Sequence, residues 1–285
     1  MSKKNRTVIK TTSIIFSFFV SIFVFLSAVF LIFNSSIFSY RYAINHLTKS
    51  GYYTTLAKEI ETEFISLGAA SHFDSSLFEN IIPKECIEDS VNQYVNSIYS
   101  GSDSAVDTTK IRSTLHDAFI KYANDNNIDL TNETTAAIME LEDECIQVYS
   151  DYVGFSFSSQ ISDYLVNSKT TSYTLATIFI ILALALMVVI YIINFWHHKA
   201  IRFYIYAISS SILMLIPIPI AAFLSHKIEK INIASKSLYN FAVLYLNDII
   251  NYYVYAIIAL LIILLFLIFI YIQQRNSALK HHRDT

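Results

Sequence analysis

Four stretches of this sequence are each long and apolar enough to cross a lipid bilayer, and they limit the chain more than any other feature does. A helix needs about 20 apolar residues to cross a hydrocarbon core of about 30 Å. Residues 14–33, 173–195, 203–224 and 252–272 meet that length and contain no Asp, Glu, Lys, Arg or His. The whole chain is 54% hydrophobic and only 15% charged, where soluble domains have about 45–50% and 25%. With 4 Gly and 3 Pro in 285 residues, turns are few and long helices are favoured over a many-stranded sheet. The expected fold class is an all-α integral membrane protein, with four transmembrane helices and a helical extracytoplasmic bundle inserted between spans one and two.

Positive charge in the short flanks sets the expected orientation. The N-terminal tail carries Lys3, Lys4, Arg6 and Lys10, the connection between spans two and three carries Lys199 and Arg202, and the C-terminal tail carries Arg275, Lys280 and Arg283. These nine basic residues face one acid, Asp284, whereas residues 34–172 hold eight Lys/Arg and twenty Asp/Glu, a net of −12. The reading is therefore a basic cytoplasmic tail (1–11), a first span (12–33), an extracytoplasmic helical domain (34–172), a second span (173–195), a short cytoplasmic loop (196–202), a third span (203–224), an outer helical segment (225–250), a fourth span (251–272) and a cytoplasmic tail (273–285). The first apolar run is longer than the core of a cleaved signal peptide and lacks a small-x-small exit, so it reads as an uncleaved signal anchor. Trp196, Phe203, Tyr204, Tyr252, Tyr253 and Tyr271 lie where an aromatic interfacial belt belongs.

The domain at 34–172 repeats its apolar residues at helical spacing. Leu56, Ile60, Phe64 and Leu67 form one stripe; Ile87, Val91, Val95 and Ile98 a second; Ile111, Leu115, Phe119 and Tyr122 a third; Ile138, Leu141, Cys145, Val148 and Tyr152 a fourth. Ser76 with Glu79 has capping-box spacing. Asp107 can cap the third helix, Thr131 or Asn132 the fourth, and residues 101–104 read as a loop. A bundle of four or five helices is expected. In 225–250, Ile228, Ile231, Leu238, Phe241, Tyr245 and Ile249 can share a face of a helix that runs into span four.

Candidate sites are few. Cys86 and Cys145 are the only cysteines. Outside the cell they can form a disulfide tying the second outer helix to the fourth, or stay as two buried thiols on their stripes. Residues 125–133 begin like a calcium loop, but Leu130 stands where that loop needs Gly and Ala136 where it needs Glu, so a polar turn is expected. Glu140, Glu142, Asp143 and Glu144 read as a solvated acidic face. The outer histidines are His46, His72, His116 and His226, and they fall into no hydrolase or metal-ligand spacing. Asn34-Ser35-Ser36 and Asn132-Glu133-Thr134 match the glycosylation acceptor pattern, which matters only in a eukaryotic host. Residues 197–199 (His-His-Lys) read as an interfacial loop, and Pro217 and Pro219 will kink span three as packing or as a hinge. No catalytic residue, cofactor or metal is expected.

Uncharged spans argue against ion-coupled transport and intramembrane catalysis. The cytoplasmic pieces are too short for a nucleotide-hydrolysing domain, and an acidic exterior disfavours nucleic acid and anionic lipid as its partners. The order of span, large outer domain and three further spans resembles that of FtsX/MacB-type subunits, which work with an ABC ATPase through a charged cytoplasmic helix between spans two and three. Residues 197–202 fill that place here. The resemblance is one of topology and carries over no residue. Three functional classes follow: a non-enzymatic surface sensor, accessory or assembly protein whose ectodomain binds a protein or envelope partner; a reduced permease-like subunit with a separate ATPase; or an outward-facing enzyme on a helical scaffold.

Overall fold

A computed structural model describes residues 3–70, 73–102, 105–154, 158–194 and 197–281. Ten α-helices and one 3₁₀ turn account for its regular structure, with no strand among the described residues. They are α1 (Lys3–Ser35), α2 (Tyr40–Lys49), α3 (Tyr52–Ala70), the 3₁₀ turn Ser75–Leu77, α4 (Lys84–Ser100), α5 (Thr109–Asp125), α6 (Asn132–Val153), α7 (Ser158–Ile193), α8 (His197–Leu215), α9 (Pro217–Ser225) and α10 (Lys236–His281). Four segments are long and apolar enough to cross a membrane: Thr7–Ser35, Ile161–Ile193, Lys199–Ser225 and Lys236–Asn276. The chain is a helical protein with four membrane-length helices. It divides into two compact units.

The first unit comprises residues 1–36, 169–230 and 246–285. Its core is Val20, Ile190, Ala200, Phe203 and Ala207, flanked by Phe16, Val24, Leu186, Met187 and Tyr204. The Ser17 hydroxyl donates to the Phe203 carbonyl at 2.8 Å, and Ser211 donates to the Ser21 carbonyl at 2.9 Å, so α1 and α8 run parallel. Against α1, α7 runs the other way: Phe179 stacks on Phe23 and Phe30, and fifteen residues later Asn194 donates to Ser13 Oγ at 2.9 Å. The start of α1, the end of α7 and the start of α8 therefore lie at the same end of this unit. Small residues bring the backbones together. Ser13, Ser17 and Ser21 are buried at four-residue spacing on α1, and Ala200, Ala207 and Ser211 are buried on α8. Many large apolar side chains stay exposed, among them Leu213, Leu224, Leu265 and Phe266 at 63–77%. Such a surface is consistent with a lipid environment.

Pro217 and Pro219 supply no N–H to the carbonyls of Leu213 and Leu215, and the helix divides at Ile216 into α8 and α9. Ile216 stays right-handed helical, so the chain continues in much the same sense. Lys199 and Arg202, expected in a loop, lie on the first turns of α8.

The second unit comprises residues 37–168 and 231–245. All four stripes face its core. Leu56, Ile60 and Phe64 of α3, Ile87, Val91, Val95 and Ile98 of α4, Ile111, Leu115 and Phe119 of α5, and Ile138, Leu141 and Cys145 of α6 are buried. Each fully buried large apolar side chain contributes about 1.5–3 kcal/mol. Leu67, Tyr122, Val148 and Tyr152 lie half-buried at the stripe ends. Phe78 packs so tightly over Gly68 that a side chain there would collide with its ring. Thr131 caps α6 through Thr134 N at 3.2 Å, and Asp107 Oδ1 accepts from Thr109 N at 3.0 Å at the start of α5. Gly101 closes α4 in the left-handed conformation, φ 72°; residues 103 and 104 of the expected loop lie outside the described residues.

Two expectations about these elements fail. Ser76 and Glu79 form no capping box, because only a 3₁₀ turn starts there, capped by Asp74. The long helix begins at Lys84, after Pro83; the proline disfavours helix at Ile82. The segment after α9 is not helical until Lys236. His226 is left-handed, φ 47°, and Ile228 and Ile231 lie in the connection that follows. From Lys236 the expected continuous helix does form, and Leu238, Phe241, Tyr245 and Ile249 lie on it.

Candidate functional site

The densest polar arrangement joins α5 to α6. Arg112 and His116, one helical turn apart on α5, both reach Glu142. Arg112 Nη1 donates to Glu142 Oε1 at 3.2 Å and to Asp143 Oδ1 at 2.8 Å, and His116 Nδ1 donates to Glu142 Oε2 at 3.1 Å. Only 6% of the Glu142 side chain is exposed, against 48% for Arg112 and 46% for His116. The expectation of a solvated acidic face is corrected here. Glu140, Asp143 and Glu144 are exposed, but Glu142 shares the inward face of α6 with Ile138, Cys145 and Tyr149. A carboxylate with that little exposure has to be paired, and Arg112 and His116 on α5 are its partners. Nearby, Lys110 bonds Asp89 across α5 and α4, with both groups largely exposed; such a pair contributes little.

Behind this cluster lies a buried hydroxyl chain. The Tyr149 hydroxyl donates to Ser90 Oγ at 2.9 Å, and Ser90 donates to the Asp107 carbonyl at 3.3 Å. The Cys86 thiol lies 3.8 Å from the Tyr149 hydroxyl. Cys86 on α4 and Cys145 on α6 are both buried free thiols. Burial pushes both thiols up, Cys145 to about 12, with Glu144 and Glu142 adding to the shift. Burial likewise holds the Tyr149 phenol well above its usual range. At neutral pH these are weak nucleophiles.

The third arrangement is at the start of α10. Glu59 of α3 accepts from Ser237 N at 3.0 Å, from Ser237 Oγ at 2.7 Å and from Ser235 Oγ at 2.9 Å. A carboxylate at a helix N-terminus satisfies free N–H groups and complements the macrodipole. Aromatic contacts continue along the same face: Tyr52 with Phe241 and Tyr42 with Tyr245, ring centroids 6.1 and 5.0 Å apart. Tyr42 also donates to the Tyr245 carbonyl at 3.1 Å. His46, 2% exposed, lies against Tyr42 and Tyr245, with Nδ1 2.7 Å from the Tyr42 carbonyl.

The remaining candidates are scattered. In the calcium-like segment Asn126 ends α5, Asn127 is left-handed, φ 54°, and Glu133 already lies on the first turn of α6. No group of three or more potential metal ligands occurs among the described residues. His226 pairs with Glu229 at 3.5 Å in the exposed connection, while His72 and Trp196 lie outside the described residues. Two features of the sequence correspond to these contacts: the Ser13-xxx-Ser17-xxx-Ser21 spacing of α1, and the i,i+4 pair Arg112/His116 set against Glu142. No protein-family model matches this chain, and no curated protein or solved structure matches it either.

Proposed function

We propose that this chain is a multi-pass plasma-membrane protein with both termini in the cytoplasm, and that its acidic helical unit stands outside the cell as a non-enzymatic recognition module. In this reading the unit binds a protein or envelope partner, in a sensory, accessory or assembly role. The observation that carries the reading is the division of charge: nine basic residues against one acid in the flanks, and a net of −12 over residues 34–172. The common end shared by the start of α1, the end of α7 and the start of α8 supports it, because the basic residues of the first tail and of α8 then lie on one side. The non-enzymatic part rests on how the buried polar groups are used. Glu142, Glu59 and Tyr149 are each engaged in joining one helix to another.

An acidic surface attracts basic partners with a salt-dependent on-rate. The test is capture of partners by the full-length protein in mild detergent, after crosslinking in intact cells, at low and high salt. The proposal expects a specific partner whose retention falls as salt rises and whose crosslinks map to residues 34–172. Crosslinks confined to the membrane-length helices, or no partner at either salt, would remove recognition through this unit.

A further inference from the structure

We propose that Arg202 holds the phosphate of an anionic phospholipid at the end of the first unit where α1 begins, with Lys10 as a second cation. The inference requires only that α1 and α8 cross a bilayer, and it is independent of what the helical unit recognises. Arg202 is the fourth residue of the membrane-length segment Lys199–Ser225, about one turn inside its end. Its depth is fixed, because the Ser17 hydroxyl bonds the carbonyl of the next residue, Phe203, and Phe203 is 2% exposed in the core of the unit. The guanidinium carbon lies over two rings of its own helix, 5.5 Å from the Phe203 centroid and 5.9 Å from that of Tyr206. Arg202 Nε is buried and has no hydrogen-bond partner in the protein.

The ring faces stabilise the cation, but they accept no directed N–H bond of normal strength. Nε is covered by the protein, so a headgroup phosphate would meet the guanidinium through its terminal nitrogens, at the edge of hydrocarbon, where ionisable side chains pair or reach for the interface. A planar fork of N–H donors at headgroup depth matches phosphate geometry. Lys10, exposed on α1, lies one turn before Ser13, which bonds Asn194 at the same end of the unit. It adds positive charge where a headgroup would lie.

The full-length protein, purified and depleted of lipid, is given equal amounts of phosphatidylglycerol and phosphatidylcholine, and retained lipid is read by native mass spectrometry. Wild type is expected to retain phosphatidylglycerol in preference. R202Q is expected to lose that preference by about fivefold, because a directed charge-assisted contact to the phosphate is lost and not only the general attraction of a basic flank. R202K, which keeps the charge and lacks the planar fork, is expected to fall between the two and serves if R202Q does not fold. R275Q, at the far end of α10, is expected to match wild type. The proposal is overturned if wild type shows no preference, if R202K and R202Q retain phosphatidylglycerol as wild type does, or if R275Q loses as much as R202Q.

Discussion

The Glu59 carboxylate accepts the Ser237 hydroxyl at 2.7 Å and the Ser237 amide at 3.0 Å across 178 positions of sequence. Through this contact α3 holds the first turn of α10, a helix of 46 residues. Three donors converge on the one carboxylate, and Ser237 is fully buried. We expect Glu59→Ala to destabilise the helical unit by about 1–3 kcal/mol, the range for bonds to a charged group with loss of a helix cap. Ser237→Ala, which keeps the amide bond, should have less than half that effect. Chemical denaturation of the full-length protein in detergent checks both. Equal midpoints for wild type and Glu59→Ala would show that the contact contributes nothing.

The Glu142 cluster predicts an order of effects. Arg112→Ala leaves a buried carboxylate with only His116 beside it. Glu142→Gln removes the charge and keeps an acceptor for Arg112. Unpaired buried charge is the costlier state, so Arg112→Ala should destabilise by about 2–4 kcal/mol and Glu142→Gln by about 1 kcal/mol or less. A larger loss for Glu142→Gln would contradict this account of the cluster.

The buried thiols and phenols make stability fall at alkaline pH. Cys145 is pushed up to about 12, and burial also raises Cys86, Tyr52 and Tyr149 above their usual values. A raised folded-state pKa means the folded form holds more protons than the unfolded form. The stabilising contribution is thus complete below the unfolded value and is lost as pH rises from there through the folded one. Thermal midpoints should be flat near pH 7–8 and drop steadily between about pH 9 and 12. Iodoacetamide at pH 8 should label neither cysteine in the folded protein and both on denaturation without reductant. Failure to label the denatured chain would instead report a Cys86–Cys145 bond.

In the first unit, packing should outweigh hydrogen bonding. Asn194→Leu removes one interhelical bond to Ser13, a contribution of about 0.6 kcal/mol in membrane helices. Ala207→Leu forces a large side chain between α1 and α8 at a position 1% exposed, where overpacking costs about 1–3 kcal/mol. Unfolding of the detergent-solubilised variants should show Ala207→Leu as the more damaged of the two.

The stripes of α3 to α6 were legible because burial repeats with the helical period, and Leu115 or Ile87 can face only one way. The length of α10 was legible for the same reason. Glu142 is hard to place from sequence because three exposed acids around it hide its position on the Ile138–Cys145 face; only the spacing of Arg112 and His116 hints at a partner. The serines of α1 pass as neutral filler in an apolar run, although their four-residue spacing is that of a close helix contact. The Glu59–Ser237 bond leaves no local trace, since its two ends are related only through the folded bundle. Pro83 outweighed the Ser76/Glu79 signal, because a proline restricts the residue before it more firmly than a cap favours a helix.

The central claim is that residues 34–172 lie on one side of the membrane and both termini on the other. It is tested most directly by single cysteines at Ser102 and Ser277 in a background lacking Cys86 and Cys145, labelled in intact cells with a membrane-impermeant maleimide. Ser102→Cys, at an exposed position, should label at once, and Ser277→Cys only after permeabilisation. Labelling of Ser277→Cys in intact cells with Ser102→Cys protected would contradict the account.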